Sequence, residues 1–102
     1  MAPAPTADSA VARHPEAQRY EIVIDGHAAG FAEYRLVGPD HETMVFTHTV
    51  VKDAFAGRGV GSRLAKAALD DARARGLSVR PECSFFVRYI ERHGEYADLV
   101  RP

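Results

Sequence analysis

Three alternating glycines, Gly57, Gly59 and Gly61, stand where the apolar pattern of the chain changes its period. The residues before them, 44–51, are dense in valine, threonine and phenylalanine, which is typical of a strand. After them, apolar residues recur at spacings of one, three and four as far as Ala72, which marks one face of a helix. Glycine lets backbone N–H groups approach a ligand, and a helix N-terminus presents unpaired N–H donors. The junction therefore predicts an anion cradle, with a simple chain-reversing turn as the alternative for so short a motif.

The rest of the sequence predicts a mixed α/β sheet: an antiparallel three-strand meander, then a βαβ unit and a C-terminal helix. An Asp25-Gly26 turn joins the first two strands, and Gly76 is placed to end the first helix in a left-handed conformation. The predicted strands are Tyr20–Ile24, Phe31–Val37, 44–51 and Leu77–Cys83, and the predicted helices run from Gly61 to Arg75 and onward from Ser84.

The length of 102 residues fits one domain with one core. Residues 1–18 are rich in alanine and proline, with no aliphatic side chain larger than Val11, so we expect a flexible tail there. The folded domain is predicted over residues 19–102. The edge of the first strand could pair with a second chain, so a monomer or a weak homodimer is expected.

Charge and cysteine content exclude several classes of function. The formal net charge of −1 gives no field that would attract nucleic acid. No apolar run approaches the roughly 20 residues of a membrane helix, and residues 1–17 lack the pattern of a secretory signal. The single cysteine, Cys83, and the absence of paired histidine spacing argue against a metal site. A reduced thiol fits a cytoplasmic protein.

Two common phosphate loops fit the glycine motif poorly. A dinucleotide-binding loop follows the first strand of a βαβ unit, whereas this loop follows a predicted antiparallel meander. A P-loop ends in Gly-Lys-Ser/Thr, whereas Gly61 is followed here by Ser62 and Arg63. The expected ligand is therefore a pyrophosphate carrier other than a dinucleotide or a nucleoside triphosphate.

Four motifs match one family. They are a His-Thr-x-Val lead-in at His48 to Val51, a Phe-x-Gly-x-Gly-x-Gly loop at Phe55 to Gly61, a Pro-x-Cys-x-Phe segment at Pro81 to Phe85, and a Tyr-Ile-x-x-His-x-Glu-Tyr ending at Tyr89 to Tyr96. Together they resemble the small single-domain members of the GNAT acyltransferase superfamily, over about residues 20–100. The resemblance implies a minimal GNAT-like fold and acetyl-CoA, or CoA, as cosubstrate. The wider superfamily usually has Arg or Gln where Ala56 stands, so one side-chain contact to pyrophosphate is absent.

The resemblance also implies site residues. The end of the third predicted strand would offer backbone groups to the cofactor arm and acyl carbonyl, through a gap between that strand and the fourth. The expected cofactor-binding residues are Val50, Val51, Ala56, Gly57, Arg58, Gly59, Val60, Gly61 and Ser62.

Three side chains are candidates for catalysis, each with a structural alternative. Cys83 is a candidate for a transiently acylated nucleophile or a group lining the acyl site, and the structural alternative is a small buried hydrophobic residue. Tyr89 matches a tyrosine that protonates the leaving thiolate in many GNAT enzymes. The structural alternative is that it packs in the apolar stripe of the last helix, with its hydroxyl at the edge of that stripe. His48 is a candidate to relay a proton from the acceptor amine, or a hydrogen-bonded structural residue.

Two functions follow as expectations. The first is an N-acetyltransferase that moves acetyl from acetyl-CoA to a primary amine of a small molecule, a peptide or a protein lysine. The alternative is a CoA-binding regulatory or interaction module with little turnover. The identity of the acceptor lies in loops that no motif marks.

Overall fold

The computed structural model describes residues 9–100, which form a five-stranded sheet and two helices. The sheet order follows the chain order, with β1 to β4 antiparallel and β5 parallel to β4. The predicted α/β class, including the βαβ unit and the helix after it, is confirmed. The elements are β1 Ser9–His14, β2 Arg19–Ile24, β3 His27–Val37, β4 Thr43–Val51, α1 Val60–Ala74, β5 Ser78–Pro81 and α2 Ser84–Arg92, with 3-10 turns at Asp53–Phe55 and Gly94–Leu99.

The flexible tail predicted for residues 1–18 is wrong for residues 9–18, and its first eight residues lie outside the described part of the chain. Strand β1 pairs with β2 from Ser9 opposite Ile24 to His14 opposite Arg19, so the antiparallel meander has four strands rather than three. The prediction of a flexible tail considered only the apolar surface that residues 1–18 could bury, and Val11 supplies little of it. An edge strand is held mainly by its backbone ladder, and composition carries little information about that.

The predicted ends of the elements are confirmed where glycine sets them. Asp25 and Gly26 both have positive φ, 50° and 80°, which gives the two-residue hairpin turn between β2 and β3. Gly76 has φ 71°, its N–H donates to the Arg73 carbonyl, and the Leu77 N–H donates to the Ala72 carbonyl. This pattern is a Schellman motif that ends α1.

Both helices pack on the same face of the sheet. The ring of Phe86 on α2 stacks on Phe46 of β4, with centroids 4.1 Å apart and planes 9° apart. The other face has no helix on it within residues 9–100, and Val23 and Val50 are exposed there, at 36% and 41%. Neither helix of the described chain is long and apolar enough to span a membrane. The core on the helix side includes Tyr20, Ile22, Tyr34, Met44, Phe46, Leu64, Leu69, Val79, Phe86, Tyr96 and Leu99.

A polar contact fastens α1 to the meander. The hydroxyl of Tyr20, a residue that is 2% exposed, donates to the Asp71 carboxylate at 2.7 Å. Arg13 of β1 approaches the same carboxylate at 3.6 Å. Burial and then this hydrogen bond raise the pKa of Tyr20 above its ordinary value, so the phenol stays neutral. The contact gives the buried hydroxyl an acceptor at the sheet–helix interface.

The two partners are expected to respond differently to removal. Asp71→Ala leaves the buried hydroxyl with only the Met44 sulfur at 3.7 Å, which should cost about 1–3 kcal/mol of unfolding free energy. Tyr20→Phe should cost less, because the Asp71 side chain is 37% exposed and can regain water. Urea denaturation of both variants checks this order. An Asp71→Ala loss no larger than that of Tyr20→Phe would contradict it.

Candidate active site

Strand β4 separates from β5 halfway along its length. The two strands pair only from Thr43 opposite Ser78 to Phe46 opposite Pro81. There the Phe46 carbonyl accepts hydrogen bonds from the N–H groups of both Glu82 and Cys83, at 2.9 and 3.0 Å. At the same point a bulge interrupts the pairing of β4 with β3, between Glu33 and Tyr34. Among residues 9–100, no strand therefore pairs with residues 47–51 of β4 on their β5 side, as the resemblance implied.

Val51 and Thr49, rather than Val50, present their backbone to this gap. The Lys52 N–H donates to the Ala29 carbonyl of β3, and antiparallel backbone groups alternate sides, so position 50 also faces β3. The Val50 carbonyl confirms the alternation, because a Cβ on Gly30 of β3 would lie 2.5 Å from its oxygen. The Val51 and Thr49 groups then point to the side that β5 leaves open.

The first two loop glycines are required by backbone conformation. Gly57 and Gly59 have φ of 78° and 71°, in the left-handed region that side chains other than glycine rarely adopt. A Cβ at either position would meet no atom within 4 Å, so the space over the loop is open. With Val51, Phe55 and Ser62, these glycines line a shallow concavity of about 280 Å³.

The third glycine is in tight contact with a side chain of α2. A Cβ on Gly61 would lie 2.7 Å from Cζ of Phe85, so the side chain of Phe85 on α2 rests directly on the first turn of α1. Phe85 is only half-buried and borders the concavity. Gly61 thus sets the distance between the two helices. Its missing side chain does not leave room for a ligand in this structure.

The N-terminus of α1 has no capping side chain and no acidic residue that would neutralise its positive dipole. The Arg63 N–H makes the first hydrogen bond of the helix, to the Gly59 carbonyl, so the N–H groups at positions 60–62 have no helical acceptor. The N-cap Gly59 has no side chain, and the first turn has no acidic residue. The N–H dipoles and the helix dipole therefore favour an anion in front of Val60 to Ser62. Of the two arginines near the loop, Arg63 bonds to Ser9 and to the Arg58 carbonyl, and Arg58 lies over the Phe55 ring.

Cys83 lies at the edge of the gap, but on the N-cap of α2 rather than in the strand predicted over Leu77–Cys83. Its Sγ donates to Oγ1 of Thr49 across the gap, at 3.3 Å. Within residues 9–100, no lysine, arginine or histidine bonds to the sulfur. The geometry places Cys83 as a thiol lining the gap.

Tyr89 lies one turn beyond Phe85 on α2 and is 8% exposed. Its ring packs on His93, at 4.0 Å between centroids, and its side chain borders a groove with Ser62. Among the described residues its hydroxyl has no hydrogen-bond partner. Burial raises the pKa of Tyr89, with Glu95 and Asp70 adding to the effect and Lys66 opposing it. The phenol is a protonated donor at neutral pH.

His48 lies on the opposite face of the sheet from Cys83 and Tyr89. It pairs across strands with Glu33, and its exposed imidazole has Nδ1 3.5 Å from a Glu33 carboxylate oxygen. Cross-strand partners share a face, and neighbours along a strand alternate, so Thr49 and the gap-lining thiol are on the helix side. His48, Glu33, Thr47 and Gln18 border a second open concavity, of about 380 Å³. The structure therefore puts His48 on the far side of the gap, and no contact joins it to Cys83 or Tyr89.

Sequence reasoning missed Glu33, Thr49 and the packing role of Phe85. Glu33 and Thr49 sit in ordinary alternating strands, and only the pairing of β3, β4 and the N-cap of α2 brings them to the site. Among residues 9–100, no group of three histidine, cysteine or acidic side chains could hold a metal ion.

Residues 19–99 match the family model of GCN5-related N-acetyl-transferases, and the chain belongs to this family. It is 28% identical over 101 residues to protein NATD1 of Xenopus tropicalis, a match covering 96% of this chain and 91% of that protein. It is 35% identical over 88 residues to protein NATD1 of Homo sapiens, covering 83% and 76%.

Solved structures have the same fold. A GCN5-like protein from Staphylococcus aureus, solved by NMR, superposes with a TM-score of 0.68 at 27% identity, over 90% of this chain and 87% of that one. Ard1 from Thermoplasma volcanium superposes with a TM-score of 0.61 at 23% identity, over 80% of this chain and 57% of that one. The second likeness establishes the fold alone. The minimal GNAT-like architecture expected from the sequence is confirmed.

The packing role of Gly61 can be separated from the conformational role of Gly57. Gly61→Ala should destabilise the protein by about 1–3 kcal/mol through overpacking against Phe85, and adding Phe85→Leu should recover part of that loss. Gly57→Ala should cost about 1–2 kcal/mol through its positive φ, with no recovery from Phe85→Leu. Urea denaturation of the single and double variants measures both couplings. Equal coupling of Phe85 to both glycines would contradict this division.

Proposed function

We propose that this chain is an N-acetyltransferase that transfers acetyl from acetyl-CoA to a primary amine of a small molecule, a peptide or a protein lysine. The observation that carries the proposal is the junction of two features: β4 leaves β5 after Phe46, and the freed edge leads directly into the glycine loop and the uncapped start of α1. The family membership of the chain supports the same reaction class.

The loop and the helix start fit the pyrophosphate of CoA. The N–H groups of Val60, Gly61 and Ser62 supply donors, and the flanking glycines Gly57 and Gly59 leave the approach open. Backbone donors make this possible without the side chain that Ala56 lacks. The backbone groups of Val51 and Thr49, which pair with no strand of residues 9–100 on the side of the gap, then offer hydrogen bonds to an extended, amide-bearing chain lying along it, in the manner of an added strand.

The reaction forms a C–N bond at the acyl carbonyl and breaks the C–S bond, so the amine loses a proton and the thiolate gains one. We assign the proton that the thiolate gains to Tyr89, because its buried hydroxyl has no hydrogen-bond partner within residues 9–100. The phenol is protonated at neutral pH and can donate, and the phenolate that remains regains its proton from solvent. We assign Cys83 to the lining of the acyl site, since its thiol bonds to Thr49 and has no base or cation beside it in the described chain.

The acceptor is proposed to approach from the open face of the sheet. There the carboxylate of Glu33 can attract an ammonium group, and the imidazole of His48 beside it can take up a proton before the amine attacks. The gap in the sheet joins this face to the helix side, so acceptor and cofactor meet from opposite faces. A cytoplasmic location and a monomeric or weakly dimeric state remain predictions.

The alternative is a CoA-binding module without turnover. Ala56 at the loop and the open, shallow character of the Glu33–His48 concavity favour it, because a poorly enclosed acceptor site gives little positioning. It shares the cofactor site with the enzyme, so only turnover separates the two.

Calorimetry with CoA and acetyl-CoA, followed by acetyl transfer to a panel of amines and basic peptides, tests both functions. We expect binding, turnover, and loss of both in Gly59→Trp, whose side chain would occupy the open approach to α1. Gly26→Trp is the matched control, because Gly26 also has positive φ and open space but lies in the distant β2–β3 turn. It should bind CoA normally. No binding at millimolar ligand rejects the proposal, and binding without turnover selects the module.

Three variants separate the assigned roles. Tyr89→Phe should lower kcat by about a hundredfold with CoA affinity nearly unchanged, because only the proton donor is removed. His48→Gln should lower kcat/KM for the amine, also without a change in CoA affinity.

Cys83→Ala should keep kcat within about threefold, and mass spectrometry after exposure to acetyl-CoA should find no acetyl on Cys83. A labile acetyl group there, with activity lost in Cys83→Ala, would replace this assignment by covalent catalysis.

A further inference from the structure

The open face of the sheet carries two opposite charges on one strand. Glu33 and Arg35 of β3 both border the concavity of about 380 Å³ beside His48. Tyr34 between them is buried in the core on the helix side, so the alternation of the strand puts Glu33 and Arg35 on the open face. Their Cα atoms are about 7 Å apart along the strand. The concavity is therefore bordered by an acidic and a basic side chain.

The carboxylate of Glu33 is not neutralised by an arginine. Within residues 9–100, no ion pair joins Glu33 to Arg35, and the one charged group paired with the Glu33 carboxylate is the imidazole of His48, at 3.5 Å. The cross-strand neighbour of Glu33 on β2 is Arg19, whose guanidinium is held by Glu21 at 2.7 Å instead. The Glu33 carboxylate is thus available to the ammonium group of an acceptor.

The basic side of the concavity has a single net positive charge. Arg35 forms an ion pair with Glu82 at 3.9 Å, between side chains that are 58% and 48% exposed. Exposed pairs of this length contribute little stability, so a ligand can replace the contact at small cost. Arg80 of β5 lies on the same face, because Val79 before it is in the core and neighbours along a strand alternate. Two guanidinium groups beside one carboxylate suit a monoanion, and a guanidinium binds a carboxylate with two parallel hydrogen bonds.

The order of the two charges along β3 agrees with the position of the gap. Glu33 is the register partner of His48, in the part of β4 that has left β5. Arg35 is the register partner of Val45, where β4 is still paired with β5. An acceptor lying along β3 would therefore have its amine at the gap and an anionic group over the closed part of the sheet.

We propose that the acceptor is a free amino acid, whose ammonium group binds Glu33 and whose carboxylate binds Arg35. This rests on the proposed function, in which Glu33 and His48 receive the amine. A volume of about 380 Å³ is at the lower end of the range for small-molecule sites, which favours a small acceptor over an extended peptide. The carboxylate takes no part in the acetyl transfer and only fixes the orientation of the amine.

The test is acetyl transfer to α-, β- and γ-amino acids, each compared with its own carboxamide, and to a lysine-containing peptide. The wild type should acetylate at least one amino acid with kcat/KM about tenfold or more above that of its carboxamide, because the amide loses the charge-assisted pair with Arg35. Arg35→Gln should bring this ratio close to one. Arg75→Gln removes the same charge at the far end of α1, on the helix side, and should keep the wild-type ratio.

Comparing this ratio between variants cancels the amine pKa of each acceptor and any loss of folded protein. Carboxamides or the peptide acetylated as efficiently as every amino acid would overturn the inference and leave the proposed function intact. An Arg35→Gln variant that keeps the wild-type ratio also overturns it, since another group would then recognise the carboxylate. If no acceptor of any kind is acetylated, the proposed function fails and this inference fails with it.

Discussion

The pairing of β4 with β5 ends on a single acceptor, the carbonyl oxygen of Phe46, and the rest of the site depends on that ending. Two consecutive N–H groups, of Glu82 and Cys83, bond to it, so the chain after β5 turns away from β4 and starts α2. The bulge opposite Glu33 and Tyr34 occurs at the same point of β4. Bulges bend a strand and redirect its side chains, which is why they are frequent beside functional sites. A regular ladder here would close the gap.

The aromatic packing behind the gap keeps it open. Phe86 stacks on Phe46, and Phe85, next to it, packs on Gly61 at the start of α1. The same turn of α2 therefore contacts both the strand that separates from β5 and the helix that presents its N–H groups. Because protein interiors are close-packed, small changes at these contacts are transmitted to the loop rather than absorbed. The gap and the helix N-terminus are positioned as one unit.

The sheet separates the two halves of the proposed chemistry. Thr49, Cys83 and Tyr89 lie on the helix side, and His48 with Glu33 lies on the open side. A strand places neighbouring side chains on opposite faces, so His48 and Thr49 serve different sides of the same gap. An open face bordered by an acidic and a titratable side chain suits the ammonium group of an acceptor, and the glycine loop suits an anionic donor. In the proposed function, this division would separate two substrate groups of opposite charge.

The sequence by itself determined the elements whose signals are local. The Asp25-Gly26 turn, the helix ended by Gly76, the change of period at the glycine loop and the βαβ unit all follow from short-range patterns, and all are confirmed. Strand β1 was not predicted, because an edge strand is held by backbone hydrogen bonds to its neighbour, and amino-acid composition does not encode those bonds. The tertiary structure alone decided which face His48 occupies, that Thr49 joins Cys83 across the gap, and that Gly61 serves packing while Gly57 and Gly59 serve conformation. Those facts depend on register and on contacts between residues distant in the chain, where a shift of one position moves a side chain to the other face.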